Sequence, residues 1–234
     1  MLRILKVIQE EASEFAKAPL FQFLQDRQIA PLQRLSFAPS IAHFVVSFGD
    51  MCRLVLFETP ARDIYQELVN QHAGEDATHW RWFLSDLGKL GFDPTVPFSE
   101  ALRFIWSDAT VKTRMLTYHL CRLALGASPL RKLALIYVSE AVSNIATAHV
   151  VAVGNELAGK TGSTFEAFGE KHREAEDSHT LWTGETRRAL EATELDRASS
   201  EELTQMVHEA FGYFRDFIDE AHAIARAGGR LPKS

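Results

Sequence analysis

Residues 133–146 read LALIYVSEAVSNIA, and Glu140 is the only titratable side chain in this stretch apart from Tyr137. A helix that is apolar on nearly every side is buried in a protein core. Burial of a carboxylate is costly unless a cation, a metal ion or a hydrogen-bond network compensates it. The stretch therefore predicts a core helix that carries a functional acid. The alternative is a Glu140 that is exposed, or that pairs with an arginine such as Arg114 or Arg122.

The rest of the chain divides into long helical blocks separated by proline and glycine. No block shows the strict alternation of apolar and polar residues that a half-buried strand has. Glycine (13) and proline (8) are both scarce, which favours long helices. We expect an all-α protein, a single domain over residues 1–234 built as a bundle of about seven helices. The predicted helical segments are 2–17, 20–29, 40–57, 62–90, 99–125, 129–159, 164–191 and 200–227.

The composition argues against several partners. Lys and Arg number 25 against 31 Asp and Glu, a net charge of −6, which leaves no basic excess for a nucleic-acid backbone. No apolar run approaches the ~18 residues of a membrane span, and Glu10 and Glu11 interrupt any signal-peptide stretch. Cys52 and Cys121 fit no zinc or redox motif and are expected to be reduced core thiols. We therefore expect a cytoplasmic protein with no nucleic-acid or membrane partner.

A second group of ionisable residues lies in the segment HREAEDSH, residues 172–179. His172, Glu176 and His179 are offset by four and three residues, so a helix would align them on one face. Two imidazoles and a carboxylate suit a divalent transition metal, and this mixture fits iron or manganese better than structural zinc. The alternative is a solvated charged face with two surface histidines.

The segment HAGEDATH, residues 72–79, repeats the same spacing. His72, Asp76 and His79 are offset by four and three residues, and Glu75 lies one position aside. All four fall within an arc of about 100° on a helix. Carboxylate-bridged metal sites in helical bundles are built from such inward-facing groups. Three separate helices with such groups favour a site for two metal ions, with open positions for dioxygen and substrate.

These three groups resemble the haem-oxygenase-like diiron oxidases and oxygenases. The family motif has a Glu and a His on one helix, a lone Glu on a later helix, and His-x3-Asp/Glu-x2-His on a third. The resemblance extends from Pro39 to His179. It implies a haem-oxygenase-like fold, two ferrous ions with dioxygen, and a small-molecule substrate such as an amino acid. The segments EDATHW (residues 75–80) and FIWSD (residues 104–108) resemble the subgroup that converts a tryptophan-derived amino acid into a nitrile.

The resemblance also implies ligands. Five positions match the family ligands: His79, Glu140, His172, Glu176 and His179. Among these, Glu140 and His172 are expected to be essential for catalysis. The chain departs from the motif on the first helix, where relatives place a Glu three or seven residues before the His. This chain has Asp76 and His72 at those positions and Glu75 four residues before, so the identity of the sixth ligand is left open.

Two other classes of function remain open at this point. Haem oxygenases and metal-free enzymes share the same helical architecture, so a haem-binding or metal-free enzyme is one alternative. The other is a non-enzymatic interaction protein that docks through the apolar face of its last helix, from Leu203 to Ile218. The preferred expectation is a dioxygen-dependent non-haem diiron oxidoreductase that forms a homodimer.

Overall fold

The computed structural model describes residues 1–179 and 184–229. These residues form helices and no strand, which confirms the all-α prediction. The helices are α1 (Leu2–Phe15), α2 (Pro19–Gln25), α3 (Pro31–Arg34), α4 (Ala42–Met51), α5 (Ile64–Asp76), α6 (Trp80–Lys89), α7 (Phe98–Ile105), α8 (Val111–Ala124), α9 (Pro129–Thr161), α10 (Glu170–Asp177), α11 (Gly184–Glu191) and α12 (Arg197–Arg226). The described residues thus form more helices than the predicted seven, because several predicted segments are divided, whereas α9 and α12 are slightly longer than predicted. The haem-oxygenase-like arrangement and the single domain over residues 1–234 stay predictions.

Helix α9 is the central element of the fold. The Ser128 side chain accepts a hydrogen bond from the Arg131 N–H, and Pro129 occupies the first helical position, both of which favour helix initiation. The helix ends at Gly162, whose φ of 73° is the left-handed conformation that glycine adopts without strain. Residues 132–140 are all buried, and α9 contacts α1, α2, α5, α8, α10 and α12. The predicted core helix is therefore present.

Helix α12 is the other long helix, and it contacts α1, α8 and α9. Its predicted apolar face, including Leu203, Phe211 and Ile218, is buried against these neighbours. The Phe211 ring meets Phe15 of α1 edge to face, with centroids 6.1 Å apart. The chain's own helices cover this face, so the prediction that it docks a partner is wrong.

The helix predicted over residues 62–90 is interrupted between Asp76 and Trp80. Helix α4 approaches this break closely at Gly49, where a Cβ would lie 2.8 Å from the Ala77 carbonyl oxygen. Only a glycine allows that approach. His79 therefore lies in the turn that precedes α6, rather than on a continuation of α5.

The segment predicted over residues 99–125 is also divided. Side chains donate hydrogen bonds to the carbonyls at the division. Arg114 donates to the carbonyls of Ile105 and Ser107 at 2.7 and 2.8 Å. The Thr110 hydroxyl donates to the Ile105 carbonyl at 2.7 Å. These bonds satisfy carbonyls that a helix end leaves open, and they stabilise the turn between α7 and α8.

The segment predicted over residues 164–191 becomes helical only at Glu170. Asp86 of α6 is fully buried, and its Oδ2 accepts the backbone N–H groups of Glu166 and Phe168 at 2.8 and 3.0 Å. The loop formed by residues 164–169 also lies tightly against α9, where a Cβ on Gly154 would be 1.7 Å from the Phe168 carbonyl oxygen. These contacts hold the loop out of helical conformation. Part of the predicted segment, residues 180–183, lies outside the described residues.

Two segments, Pro31–Leu56 and Pro129–Thr161, are long and apolar enough to cross a membrane by length and composition alone. The expectation that no apolar run approaches this length was therefore wrong. The first segment is divided by the 3-10 helix Ala38–Ile41 and the π-helical turn Cys52–Leu56. The second is the core helix α9, and a helix buried on most sides has the composition of a membrane helix. The absence of a membrane partner stays a prediction.

Candidate metal centre

Three of the predicted site residues meet deep in the interior. His72 lies on α5, Glu140 on α9, and His179 two residues beyond the end of α10. The Nδ1 atom of His179 is 3.1 Å from Glu140 Oε2, and the Nε2 atom of His72 is 3.6 Å from Glu140 Oε1. All three side chains are buried. We refer to His72, Glu140 and His179 as the inner triad.

A second set lies beside the first and nearer the surface. His172 and Glu176 lie on α10, with Nε2 and Oε1 2.9 Å apart, and the His79 ring centroid is 5.4 Å from that of His172. We refer to His79, His172 and Glu176 as the outer triad. Within each triad, one ligand atom per residue lies within 4.8 Å of the others. Each triad therefore has a geometry that can hold one metal ion.

Asp76 lies between the two triads. Its Oδ2 is 3.1 Å from His72 Nε2, and its Oδ1 is 3.4 Å from both His79 Nδ1 and His179 Nε2. A carboxylate in contact with both sets of imidazoles is placed to bridge two cations.

The structure distinguishes the three candidates on the first helix. His72 and Asp76 both belong to groups of ligand atoms that lie within 4.8 Å of one another, and Glu75 does not. Glu75 is half-buried, and its Oε1 accepts a hydrogen bond from the exposed Gln71 amide at 3.4 Å. Its Oε2 is nevertheless buried, so a ligand role for Glu75 stays a prediction.

Several buried atoms of the cluster make no hydrogen bond of good geometry, although imidazole nitrogens and carboxylate oxygens lie as close as 3.1 Å to one another. They are both ring nitrogens of His72, His179 Nε2, Asp76 Oδ1 and Glu176 Oε2. Buried polar atoms are nearly always satisfied, so such a concentration needs an explanation. Four imidazoles and three carboxylates are a ligand set for divalent transition metals. The residues present therefore fit two metal ions.

The tautomer of His172 is set by the backbone. Its Nδ1 lies 3.0 Å from the Ala167 carbonyl oxygen, which can only accept a hydrogen bond. Nδ1 therefore carries a proton, and Nε2, which lies 2.9 Å from Glu176 Oε1, is the ring nitrogen that a metal ion would bind. Metal-binding histidines are commonly oriented in this way by a bond from the second ring nitrogen. Asp86 holds the loop that supplies this carbonyl, so it supports the ligand from a distance.

Burial and the neighbouring carboxylates shift the pKa values of the cluster histidines in opposite directions. Burial alone would lower the pKa of His179, but the hydrogen bond to Glu140 and the charge of Asp76 raise it to about 9. Burial raises the pKa of Glu140. In the outer triad, burial lowers the pKa of His79, whereas for His172 the effect of burial is outweighed by the hydrogen bond to the neighbouring carboxylate, which raises the pKa. The metal-free cluster thus keeps protons in both triads, where they offset the negative charge that a bound cation would neutralise.

Sequence reasoning missed the residues that surround the ligands. Ser143 of α9 donates to Glu176 Oε1 at 3.2 Å. The Trp82 ring stacks on His79 with centroids 4.4 Å apart, and the Lys171 ammonium lies 4.5 Å from the Trp82 centroid. The position of Asp86 next to the apolar residues Phe83, Leu84 and Leu87 of α6 was the sequence feature that could have indicated a buried acid.

The arginine pairing expected of a non-enzymatic protein was wrong. Arg114 donates to backbone carbonyls between α7 and α8. Arg122 pairs with Glu209 and donates to the Tyr213 hydroxyl at 3.0 Å. Glu140 instead faces the histidines of the inner triad.

A cavity of about 220 Å³ borders the cluster. Asp76, Glu140 and the whole outer triad line one part of its wall, and apolar side chains make up most of the remainder. The aromatic residues Trp80 and Phe83 are among them. A ligand in this cavity would lie against the candidate metal-binding groups.

In comparisons with known proteins, no family model and no curated protein matches the chain.

Proposed function

We propose that this chain is a non-haem diiron oxidoreductase of the haem-oxygenase-like kind, which uses dioxygen to oxidise a small substrate. The observation that carries the proposal is the meeting of two triads of buried ligand atoms around Asp76, several of them without hydrogen-bond partners. The resemblance to the family motif supports the same conclusion independently of the geometry.

We assign one triad of ligands to each of the two ions. The inner triad would hold one ion and the outer triad the other, with Asp76 in contact with both. The set contains imidazoles and carboxylates and no thiolate, which favours iron or manganese over structural zinc. Three triad ligands and the shared Asp76 would leave coordination positions open on each ion, and the outer triad faces the cavity.

Bound ferrous iron would supply the electrons that reduce dioxygen, and the protein would supply orientation and a dry site. Phe83 and Phe168 are buried beside the cluster and keep bulk water away from it. The Ala167 carbonyl orients His172, and the Ser143 hydroxyl orients Glu176. Glu140 Oε2 and His179 Nδ1 are 3.1 Å apart and can share a proton.

The proposed substrate is a small molecule such as an amino acid, with formation of a nitrile from a tryptophan-like compound as the narrower form. The aromatic residues of the cavity wall are compatible with an aromatic side chain. The narrower form rests on the resemblance alone. The cytoplasmic location and the homodimer likewise stay predictions.

Anaerobic titration with Fe(II) tests the proposal. We expect about two irons per chain in the wild type and a clear loss in Glu140→Gln. His119→Ala is the matched control, because His119 stacks on Tyr213 away from the cluster, and it should keep the wild-type stoichiometry. Substantially less than one iron per wild-type chain, with or without candidate amino acids, would overturn the proposal. A Soret band after incubation with haem would favour the haem-binding alternative instead.

Activity is tested by adding oxygen to the ferrous protein in the presence of a panel of amino acids. We expect one of them to accelerate oxygen consumption, and His172→Ala to abolish that acceleration. Equal oxygen consumption with every compound and with none would contradict an oxidase that acts on a small amino acid.

A further inference from the structure

The cavity extends well beyond the metal-binding residues along one face of α9. Glu140, Ser143, Thr147 and Val150 all line it, at the spacing of successive helical turns. The ten residues from Glu140 to Val150 correspond to an axial distance of about 15 Å. The cavity is therefore an elongated space with the metal-binding cluster near one end.

The end remote from the cluster is apolar. Phe21 and Leu24 of α2, Val150 of α9, and Ile218 and Ala221 of α12 all line the cavity there. We refer to these five residues as the far chamber. Helices α2, α9 and α12 contact one another, so the far chamber is a built part of the core rather than a surface depression.

Charged groups that line the cavity are confined to the cluster. Among the described residues, its lining includes no Lys or Arg, and its acids and histidines all belong to the two triads and Asp76. The Ser143 hydroxyl already donates to Glu176, and the Ser139 hydroxyl donates to the Leu135 carbonyl. The remaining polar groups of the lining, such as the Thr147 hydroxyl, are neutral. A charged group in the far chamber would therefore lose its hydration without gaining a charged partner, which is strongly unfavourable.

We infer that the cavity binds a single-headed ligand, whose charged groups all lie at one end against the cluster and whose body is uncharged and apolar. The cavity volume of about 220 Å³ corresponds to roughly 15 to 22 non-hydrogen atoms, at about 10–15 Å³ for each atom of water size. For an amino-acid substrate this means an apolar side chain and excludes acidic and basic ones. The position of the head rests on the proposed function, whereas the character of the far chamber does not.

The first test compares two ten-carbon probes, decanoate and decanedioate, which differ only in a second carboxylate at the far end. Calorimetric titration of the Zn(II)-loaded protein should show decanoate binding at least tenfold more tightly. Equal or tighter binding of decanedioate would overturn the inference. The same pair is then titrated into the metal-free protein. A preference for decanoate there, together with failure of iron to bind, would remove the diiron proposal and leave the far chamber standing.

The second test changes the far chamber. In the wild type, affinity should rise from hexanoate to decanoate, because the longer body reaches the far chamber. Ala221→Phe should remove that rise and weaken decanoate binding at least tenfold while keeping the metal stoichiometry. Ala223→Phe, two residues along α12 and exposed, is the matched control and should behave as the wild type.

A third variant tests the inference in the opposite direction. Leu24→Ala enlarges the far chamber, so it should shift the best-bound probe from decanoate toward dodecanoate. Chain-length profiles that are the same in the wild type, Ala221→Phe and Leu24→Ala, with metal stoichiometry retained in all three, would overturn the inference and leave the diiron proposal intact.

Discussion

The inner and outer triads use the same kinds of side chain in different surroundings. His72 of the inner triad is 1% exposed, whereas the side chains of His79 and His172 in the outer triad are 17% and 19% exposed. The outer triad lines the cavity, but only Glu140 of the inner triad does so. From this difference we expect the inner position to retain its metal ion more tightly and the outer position to contact the substrate.

This comparison predicts which ion is lost when one histidine is removed from each triad. His72→Ala should weaken the inner ion more than about 100-fold, because loss of a ligand removes a large share of the binding free energy. His172→Ala should release the outer ion and leave one iron per chain. Anaerobic iron analysis after gel filtration measures both. Retention of two irons in either variant, or loss of both irons in His172→Ala, would contradict the division into two sites.

Substitution of Asp86 should weaken metal binding at the outer triad without changing any of its three residues. Asp86→Ala frees the loop that holds the Ala167 carbonyl, so His172 loses its orientation. Changes of this kind typically cost 10- to 100-fold in metal affinity, and we expect that loss at the outer site. Competition with a coloured chelator measures it.

The controls separate a positioning role from general destabilisation. Asp86→Asn keeps an oxygen acceptor for the N–H groups of Glu166 and Phe168, so it should restore most of the affinity. Lys89→Ala removes only the 3.2 Å contact between Lys89 and Asp86 and should have little effect. If Asp86→Ala weakens the inner and outer ions equally, its role is structural only.

The sequence was sufficient to predict which residues meet, but not how the chain brings them together. His72, Asp76 and His79 still meet although the helix is interrupted after Asp76. The turn that follows brings His79 Nδ1 to 3.4 Å from the Asp76 carboxylate. The helix breaks themselves depend on contacts remote in the chain. Gly49 meets the carbonyl of Ala77, and no local pattern around either residue indicates that contact.

The same limit applies to the far chamber. The residues of α2 and α12 that line it have the spacing of ordinary core positions, and periodicity does not distinguish a packed core from a cavity wall. Glu140 was different, because an acid in an apolar helix conflicts with burial wherever that helix packs. A charged residue in an apolar helix can therefore be recognised from the sequence, whereas a cavity between packed helices cannot.

The pH dependence of metal binding should differ between the triads. The raised pKa of His179, about 9, stabilises the metal-free fold fully below its unfolded value of 6.5, and that contribution is lost as the pH rises through 9. A metal ion must displace this proton, so inner-site affinity should rise about tenfold per pH unit between 6.5 and 9. At the outer site, burial lowers the pKa of His79, which removes this competition from that ligand. Burial alone would lower the pKa of His172 as well, but the hydrogen bond to Glu176 raises it, so the outer site should keep a shallower pH dependence than the inner one. Thermal unfolding with and without Zn(II) at several pH values should show a stabilisation that widens with pH.

Substitution of Ser143 is expected to have the smallest effect on metal affinity, and it tests whether Glu176 belongs to the outer site. Its hydroxyl donates to Glu176 Oε1 at 3.2 Å, on the α9 face that also carries Glu140. A hydrogen bond to a charged group contributes about 1.5 kcal/mol, so Ser143→Ala should weaken the outer ion by roughly tenfold or less and leave the inner ion unchanged. Ser139→Ala is the matched control, because its hydroxyl bonds only to the Leu135 carbonyl. A loss confined to the inner ion in Ser143→Ala would mean that Glu176 serves the inner position, and the two triads would have to be redrawn.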